Sequence, residues 1–321
     1  MLKIGLVGLG SIFQKAYLPC LKQFSTIEWH LFTRNKETLS QIADGMVNSH
    51  IYDSVQELAK VPLDGVMIHV ATQAHVELAK LFLEQGIPVY MDKPLSEDYE
   101  QTLALYQLAQ ARGVFLMAGF NRRFAPKVQQ LKEQSDKRRI LVEKNDVNSP
   151  GELQFKLFDL FLHPLDTALY LLDSQLEAAT FSYHLEEGLL SQVSVTLRAG
   201  NTSAVAAINL QSGSRREIME VQTPQATYQL KNLEDMRIFT ADKEVQDGFG
   251  AWENTLYKRG FETIIHQFLE SLETKVNPVD PKSSLLSHWL CHQILHSRSP
   301  RGELDVYLPE KVTTQTTEST G

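Results

Sequence analysis

The sequence predicts an α/β chain: a doubly wound parallel sheet, followed by an α+β domain with a largely antiparallel open sheet. Three observations predict it. Strand-like and helix-like runs alternate over the first 120 residues, the mark of βαβ units. A glycine turn, Gly8-Leu9-Gly10, joins the first strand to the first helix. Beyond residue 122 come short β-branched or alternating runs separated by Gly, Asn and charged turns, as in an antiparallel sheet.

In chain order, "LKIGLVG" (2–8) is a β-rich run ending in glycine. "FQKAYLPCLKQF" (13–24) has helical periodicity, which Pro19 must cap, kink or break. Strand "IEWHLF" and helix "NKETLSQIA" follow, then a buried-type strand "GVMIHVA" (65–71) and a helix (75–86) closed by Gly86. Strand "PVYM", a helix over 98–113 and strand "VFLMAGF" complete a first domain over 1–121. The second domain, 122–308, opens with helix "PKVQQLKEQ", strand "RILVEKN" and an apolar helix near 159–172. Six strand-like runs from "AATFSYHL" to "MRIFTA" and two helices complete it. The tail, 309–321, is polar and aperiodic, and is expected to be disordered.

Composition narrows the function. A chain of 321 residues, 43% apolar and 22% charged, has the make-up of a globular protein. A net charge of −8 argues against nucleic-acid and anionic-membrane partners, and "KRR" at 137–139 reads as a solvated loop. No window holds 18 consecutive apolar residues. Cys20 and Cys291 form no disulfide framework and no metal-ligand spacing, so a cytoplasmic protein without a metal is expected.

Gly8 and Gly10, followed by Ser11 and Ile12, stand where backbone N–H groups can approach a pyrophosphate in a Rossmann-type domain. The fingerprint G-x-G-x-x-G is incomplete: Phe13 replaces its third glycine and must displace the helix or point away. The second strand ends in Thr33 and Arg34 instead of the acid that holds a ribose 2′-OH. A hydroxyl beside a guanidinium suits a 2′-phosphate, so the expected cofactor is NADP(H) rather than NAD(H).

Strand "VYM" runs into Asp92-Lys93-Pro94. Proline pushes the residue before it out of the α region, so Lys93 is held extended at a strand's carboxyl end, with the isomer of its bond to Pro94 left open. A lysine held beside another positive charge has its pKa lowered, as a proton carrier needs. Asp159, His163 and Asp166 are spaced i, i+4, i+7, one face of a helix. Pro164 fits only if that helix starts near Phe161 or Leu162, which leaves Asp159 in the preceding loop.

Four segments, "GLGSIFQKAYLP", "HVATQAHVELAKLFLEQGIPVYMDKPLS", "GFNRRFAP" and "DLFLHPLDTALYLL", resemble the Gfo/Idh/MocA oxidoreductase family, in the right order. "DKP" with "GFNRRFAP" resembles its MviM-like branch. The resemblance covers nearly the whole chain. It implies that Lys93 lies beside the nicotinamide and the reacting carbon. Asp92 replaces a glutamate, one methylene shorter in its reach toward the ribose. Where the family reads T-P-N-x-x-H, this chain has "ATQAH": His75 is kept and the Pro-Asn pair is absent, leaving Val70 and Ala71 backbone contact with the cofactor. Asn121 and Arg122 match positions that wall the substrate pocket. Asp159, His163 and Asp166 match D-x-G-x-H-x-x-D, with Phe161 in place of the glycine.

The reaction so implied is hydride transfer between the nicotinamide and a secondary alcohol or carbonyl of a small sugar-like substrate. His163 would be the general acid/base, Asp159 would orient it or hold substrate, Lys93 would polarise the oxygen, and Asp166 would face the substrate. The resemblance also implies a homodimer or homotetramer formed through the C-terminal sheet. Trp252 and Tyr257 are placed at the pocket's border. Two alternatives stay open: an NADP-binding regulatory or interaction protein, and a reductase of a larger planar ligand.

Overall fold

The computed structural model describes residues 1–309. The expectation for the tail therefore falls, Pro309 apart, outside the described residues. The first sheet holds β1 (Leu2–Val7), β2 (Ile27–Phe32), β3 (Ser49–Ile51), β4 (Gly65–Ile68), β5 (Val89–Asp92) and β6 (Leu116–Gly119). All six run parallel in the order β3-β2-β1-β4-β5-β6. Connections leave in opposite directions from β1 and β4, which opens a crevice at the carboxyl ends of these strands. β4 and β6 are buried throughout, so they read as unbroken small and apolar runs without alternation. β3 has no counterpart among the sequence expectations, because three residues at a sheet edge are too few to show a period.

Two prolines that looked like helix breakers are accommodated by π turns. Phe13 begins one, Phe13–Tyr17, in which the Leu18 N–H donates to the Phe13 carbonyl five residues back. The wider turn takes in Phe13, fully buried, without the missing third glycine. It also leaves Pro19 in the first turn of the segment Leu18–Leu21, where a missing N–H costs nothing. The second π turn is Leu157–Phe161, continuous with Leu153–Lys156 before it and Leu162–Leu171 after it. Asp159 is thus helical and not in a preceding loop, and Pro164 occupies the first turn of the last segment.

The second sheet has nine strands: β7 (Arg139–Asn145), β8 (Ala178–Glu186), β9 (Leu189–Ala199), β10 (Thr202–Asn209), β11 (Glu217–Gln222), β12 (Thr227–Lys231), β13 (Asp235–Phe239), β14 (Glu244–Asp247) and β15 (Arg301–Leu304). Their order is β14-β13-β12-β11-β7-β10-β9-β8-β15, antiparallel except for β7 with β10. Alternation along the strands buries one face, where Ile140, Val142, Ala204 and Ala206 meet helix Leu162–Leu171. The "KRR" stretch is solvated only in part: Arg138 and Arg139 are exposed, but Lys137 is not. Lys137 is 2% exposed and its Nζ donates to the Lys132 carbonyl and both Asp173 carboxylate oxygens.

Residues assigned to the second domain return to the first. Phe268 of helix Phe261–Thr274 packs on Tyr90, and a Cβ at Gly65 would sit 2.8 Å from Leu272. Asn277 donates to the Leu116 carbonyl, and helix Pro281–His296 lies on helix Tyr99–Ala111. A boundary at 121/122 therefore separates the two sheets but not their helical layers. Among the described residues no helix is long and apolar enough to cross a membrane.

Candidate active site

The glycine turn is built as a dinucleotide site needs. Gly8 has φ +88°, and a Cβ there would meet the His69 carbonyl at 2.8 Å, so only glycine lets β1 end this close to β4. At Gly10 no atom lies within 4 Å of the Cβ position, which leaves open ground beside the start of a helix at Ser11 and Ile12. Ile12 is 48% exposed although apolar, and it lines the neighbouring cleft. Arg34 stands exposed after β2. An open glycine, free helical N–H groups and an unburied apolar side chain fit the pyrophosphate and nicotinamide of a dinucleotide.

That cleft, about 470 Å³, lies where the carboxyl ends of the first sheet face the covered side of the second. Lys93, Asn121, Arg122, Asp159 and His163 all line it, as do Val70, Ala71, His75 and Asp92. The structure thus brings together residues that the sequence spreads over 94 positions (163 − 70 + 1).

Lys93 follows β5 and its bond to Pro94 is cis. Its Nζ donates to the Asp159 carbonyl and, at 3.1 Å, to Oδ1 of the same residue. The π turn contains that carbonyl, and the residue five positions on, its partner in a π pattern, is Pro164, which has no N–H to offer it. Burial lowers the Lys93 pKa, against the pull of Asp159 and with the help of Arg122. Across the cleft the Arg122 guanidinium donates twice to Glu217 on β11 and once, at 2.7 Å, to His163 Nδ1. Arginine can only donate, so Nδ1 accepts and the ring proton sits on Nε2. Burial, then Arg122, Lys93, Lys144 and Arg259, press the His163 pKa well below 6.5. Its resting form is a neutral imidazole whose cleft proton is already in place.

The expected placements of Asp166, Trp252 and Tyr257 are corrected, while His75, Asp92 and Asn121 line the cleft and make further contacts that hold it together. Asp166 does not reach the cleft: it is 1% exposed and clasped by Arg123, with Nε to Oδ2 at 2.9 Å and Nη2 to Oδ1 at 2.5 Å. His75 is turned inward, its ring between the Pro94 and Val70 carbonyls, so it pins the two loops together. Asp92 is held by Tyr17 and by His69, whose Nδ1 lies 3.0 Å away. Burial works against its charge, but His69 and the hydrogen bonds outweigh it and keep the carboxyl below its ordinary range. Asn121 donates to the Arg259 carbonyl and so carries Arg259 to the cleft wall. Trp252 is 99% exposed and absent from the lining, and Tyr257 packs on Phe249.

Sequence reasoning passed over Tyr17, His69, Lys144, Glu217 and Arg259. Lys144 and Glu217 carried a usable signal. Each occupies an inward position of its strand, after Ile140 and Val142 or before Met219 and Val221, where a charge breaks the pattern.

A crystal structure of a Gfo/Idh/MocA family oxidoreductase from Vibrio cholerae superposes with a TM-score of 0.85 at 32% identity, covering 92% of this chain and 97% of that one. The chain belongs to the Gfo/Idh/MocA oxidoreductase family. The family model described as "Oxidoreductase family, NAD-binding Rossmann fold" matches residues 2–120, and a YceM-like C-terminal domain matches 126–241. The dehydrogenase MviM of Clostridium difficile gives a TM-score of 0.85 at 30% identity, over 92% of this chain and 98% of that one. YceM of Salmonella typhimurium is 29% identical over 86% of this chain and 91% of its own length. As a Gfo/Idh/MocA protein the chain is an NAD(P)-binding oxidoreductase acting on CH–OH and C=O groups.

Proposed function

We propose that the chain reduces a carbonyl of a small sugar-like substrate with NADPH, or oxidises the matching alcohol with NADP+, with Lys93 as proton carrier. The observation that carries this reading is the Arg122–His163 hydrogen bond. It exchanges the roles expected from sequence. With Nδ1 taken and Nε2 protonated, His163 is a fixed hydrogen-bond donor to the substrate oxygen rather than a base. Lys93, its pKa lowered by burial, is the group placed to give up and regain a proton.

Bound in the cleft, NADPH would supply the hydride from nicotinamide C4. Gly8, Gly10, Ser11 and Ile12 would hold its pyrophosphate and nicotinamide, with Thr33 and Arg34 at the 2′-phosphate. In the reductive direction Lys93 gives its proton to the substrate oxygen as the carbon takes the hydride. Asp159, its side chain 51% exposed, keeps hold of the amine and connects it to solvent. A sugar-like substrate agrees with the inositol 2-dehydrogenase of Rhizobium meliloti, 26% identical over 53% of this chain.

A paired fluorescence titration with NADPH and NADH tests the reading. NADPH should bind at least about tenfold more tightly, and Arg34→Ala should remove that margin while sparing NADH. Equal losses for both cofactors would remove the 2′-phosphate contact, and failure of both to bind would overturn the function.

A further inference from the structure

The charges around the cleft do not balance. Lys93 has Asp159, Arg122 has Glu217, and Asp92 is engaged by His69 and Tyr17. Two cations remain. Lys144 lies on the inward face of β7, in register with Glu217, whose two oxygens already accept from Arg122. Arg259 stands beside Gly260, where φ is +81° and a Cβ would collide with the Asn121 carbonyl at 2.2 Å, so the turn that presents it is fixed. Among the described residues no carboxylate lies within 4.0 Å of either head group.

The same two residues, with Leu160, also line a second cleft of about 490 Å³. Its other walls include Asn145, Arg215, Arg216 and Asn232. The carboxylates there are engaged as well: Asp146 by Arg215 at 2.6 Å, Glu217 by Arg122, Glu234 by Lys258 at 4.0 Å. Lys144 and Arg259 therefore stand on the wall shared by two adjoining clefts. One contains the proton carrier, the other an excess of positive charge.

We propose that the substrate carries an oxyanion, a carboxylate or a phosphate, which Lys144 and Arg259 bind at this shared wall while its carbonyl meets Lys93. The inference rests on the proposed function and narrows it to acidic carbonyl compounds and their alcohols, the remainder of the substrate extending into the second cleft. Without such a group the shared wall leaves a half-buried ammonium unpaired, and burial together with Arg122 pushes the Lys144 pKa down to about 7. An arriving oxyanion restores the pairing that the protein does not supply, and two cations can hold it by charge-assisted bonds.

The test begins with the NADPH titration, whose failure strikes the proposed function and not the anion site. Inorganic phosphate and malonate are then titrated by calorimetry into NADPH-saturated protein, so that the cofactor's phosphate contacts are already filled. One of the two should bind, identifying the phosphoryl or the carboxylate class. Lys144→Met and, separately, Arg259→Met should each weaken it about tenfold, with NADPH affinity within about twofold. Thermal melts would check that both variants are folded. Binding of neither anion by wild type, or unchanged anion affinity in both folded variants, overturns the inference and leaves the hydride-transfer reading standing.

Discussion

At the carboxyl ends of β1 and β2 the site is made of backbone. Gly8 is fixed by its φ and by the His69 carbonyl, Gly10 faces open space, and the helix start offers its N–H groups. Across the cleft it is made of side chains. Lys93, Arg122, Asp159, His163 and Glu217 come from four separate places in the chain and are locked by ion pairs and a hydrogen bond. A backbone site tolerates changes in the side chains around it. A site of mutually paired charges does not, because removing one partner strands the other in low dielectric.

Lys93→Met gives the largest expected effect and tests whether the two halves are separable. Turnover should fall by about 10²–10⁴-fold, as for loss of a proton carrier. NADPH affinity should stay within a few-fold, since the glycine turn is untouched. Folding should change by less than about 1 kcal/mol, because the stranded Asp159 is half exposed. Retained turnover would take the proton away from Lys93 and return it to His163.

Arg122→Met should cost about 3–5 kcal/mol of stability, read as a shift in denaturant midpoint, because Glu217 is left buried and unpaired. It also frees His163 Nδ1, so the imidazole regains its choice of tautomer. A double variant, Arg122→Met with Glu217→Met, should recover most of the stability and none of the turnover. If the single and double variants are equally stable, the pair does not hold the cleft as described.

How much of this was legible in the sequence follows the same division. The glycine turn, DKP and GFNRRF are local strings, and the parallel sheet announces itself by period and strand length. The charge network is not local. Lys144 and Glu217 lie 73 residues apart (217 − 144), and only the pairing of β7 with β11 makes them neighbours. Asp166 shows the converse error. Its spacing put it on the face of His163, but spacing says which way a side chain points and not what meets it, and here Arg123 does. Phe13 and Pro164 looked like faults in a motif and a helix, because a π turn leaves no periodic trace in the sequence.

His288 gives the smallest expected effect and bears on the strut that joins the halves. It sits on helix Pro281–His296, fully buried, and the Leu95 N–H, two residues beyond Lys93, donates to its Nε2 at 3.3 Å. The ring proton is therefore on Nδ1 and goes to the Ser284 carbonyl at 2.8 Å. Protonating Nε2 would set N–H against N–H, and burial lowers the His288 pKa to about 4. The unfolded chain takes up this proton near pH 6.5 and the folded chain only near 4, so the stabilisation is complete above about 6.5 and is lost as the pH falls through that window. Over the window the loss amounts to about 3 kcal/mol. His288→Gln can keep both hydrogen bonds, through its carbonyl oxygen and its amide, but cannot titrate. Denaturant midpoints between pH 7 and 4 should therefore fall less steeply in the variant. Parallel slopes would show that this histidine is not what acid releases, and that the Lys93 turn is held to the C-terminal helix by packing alone.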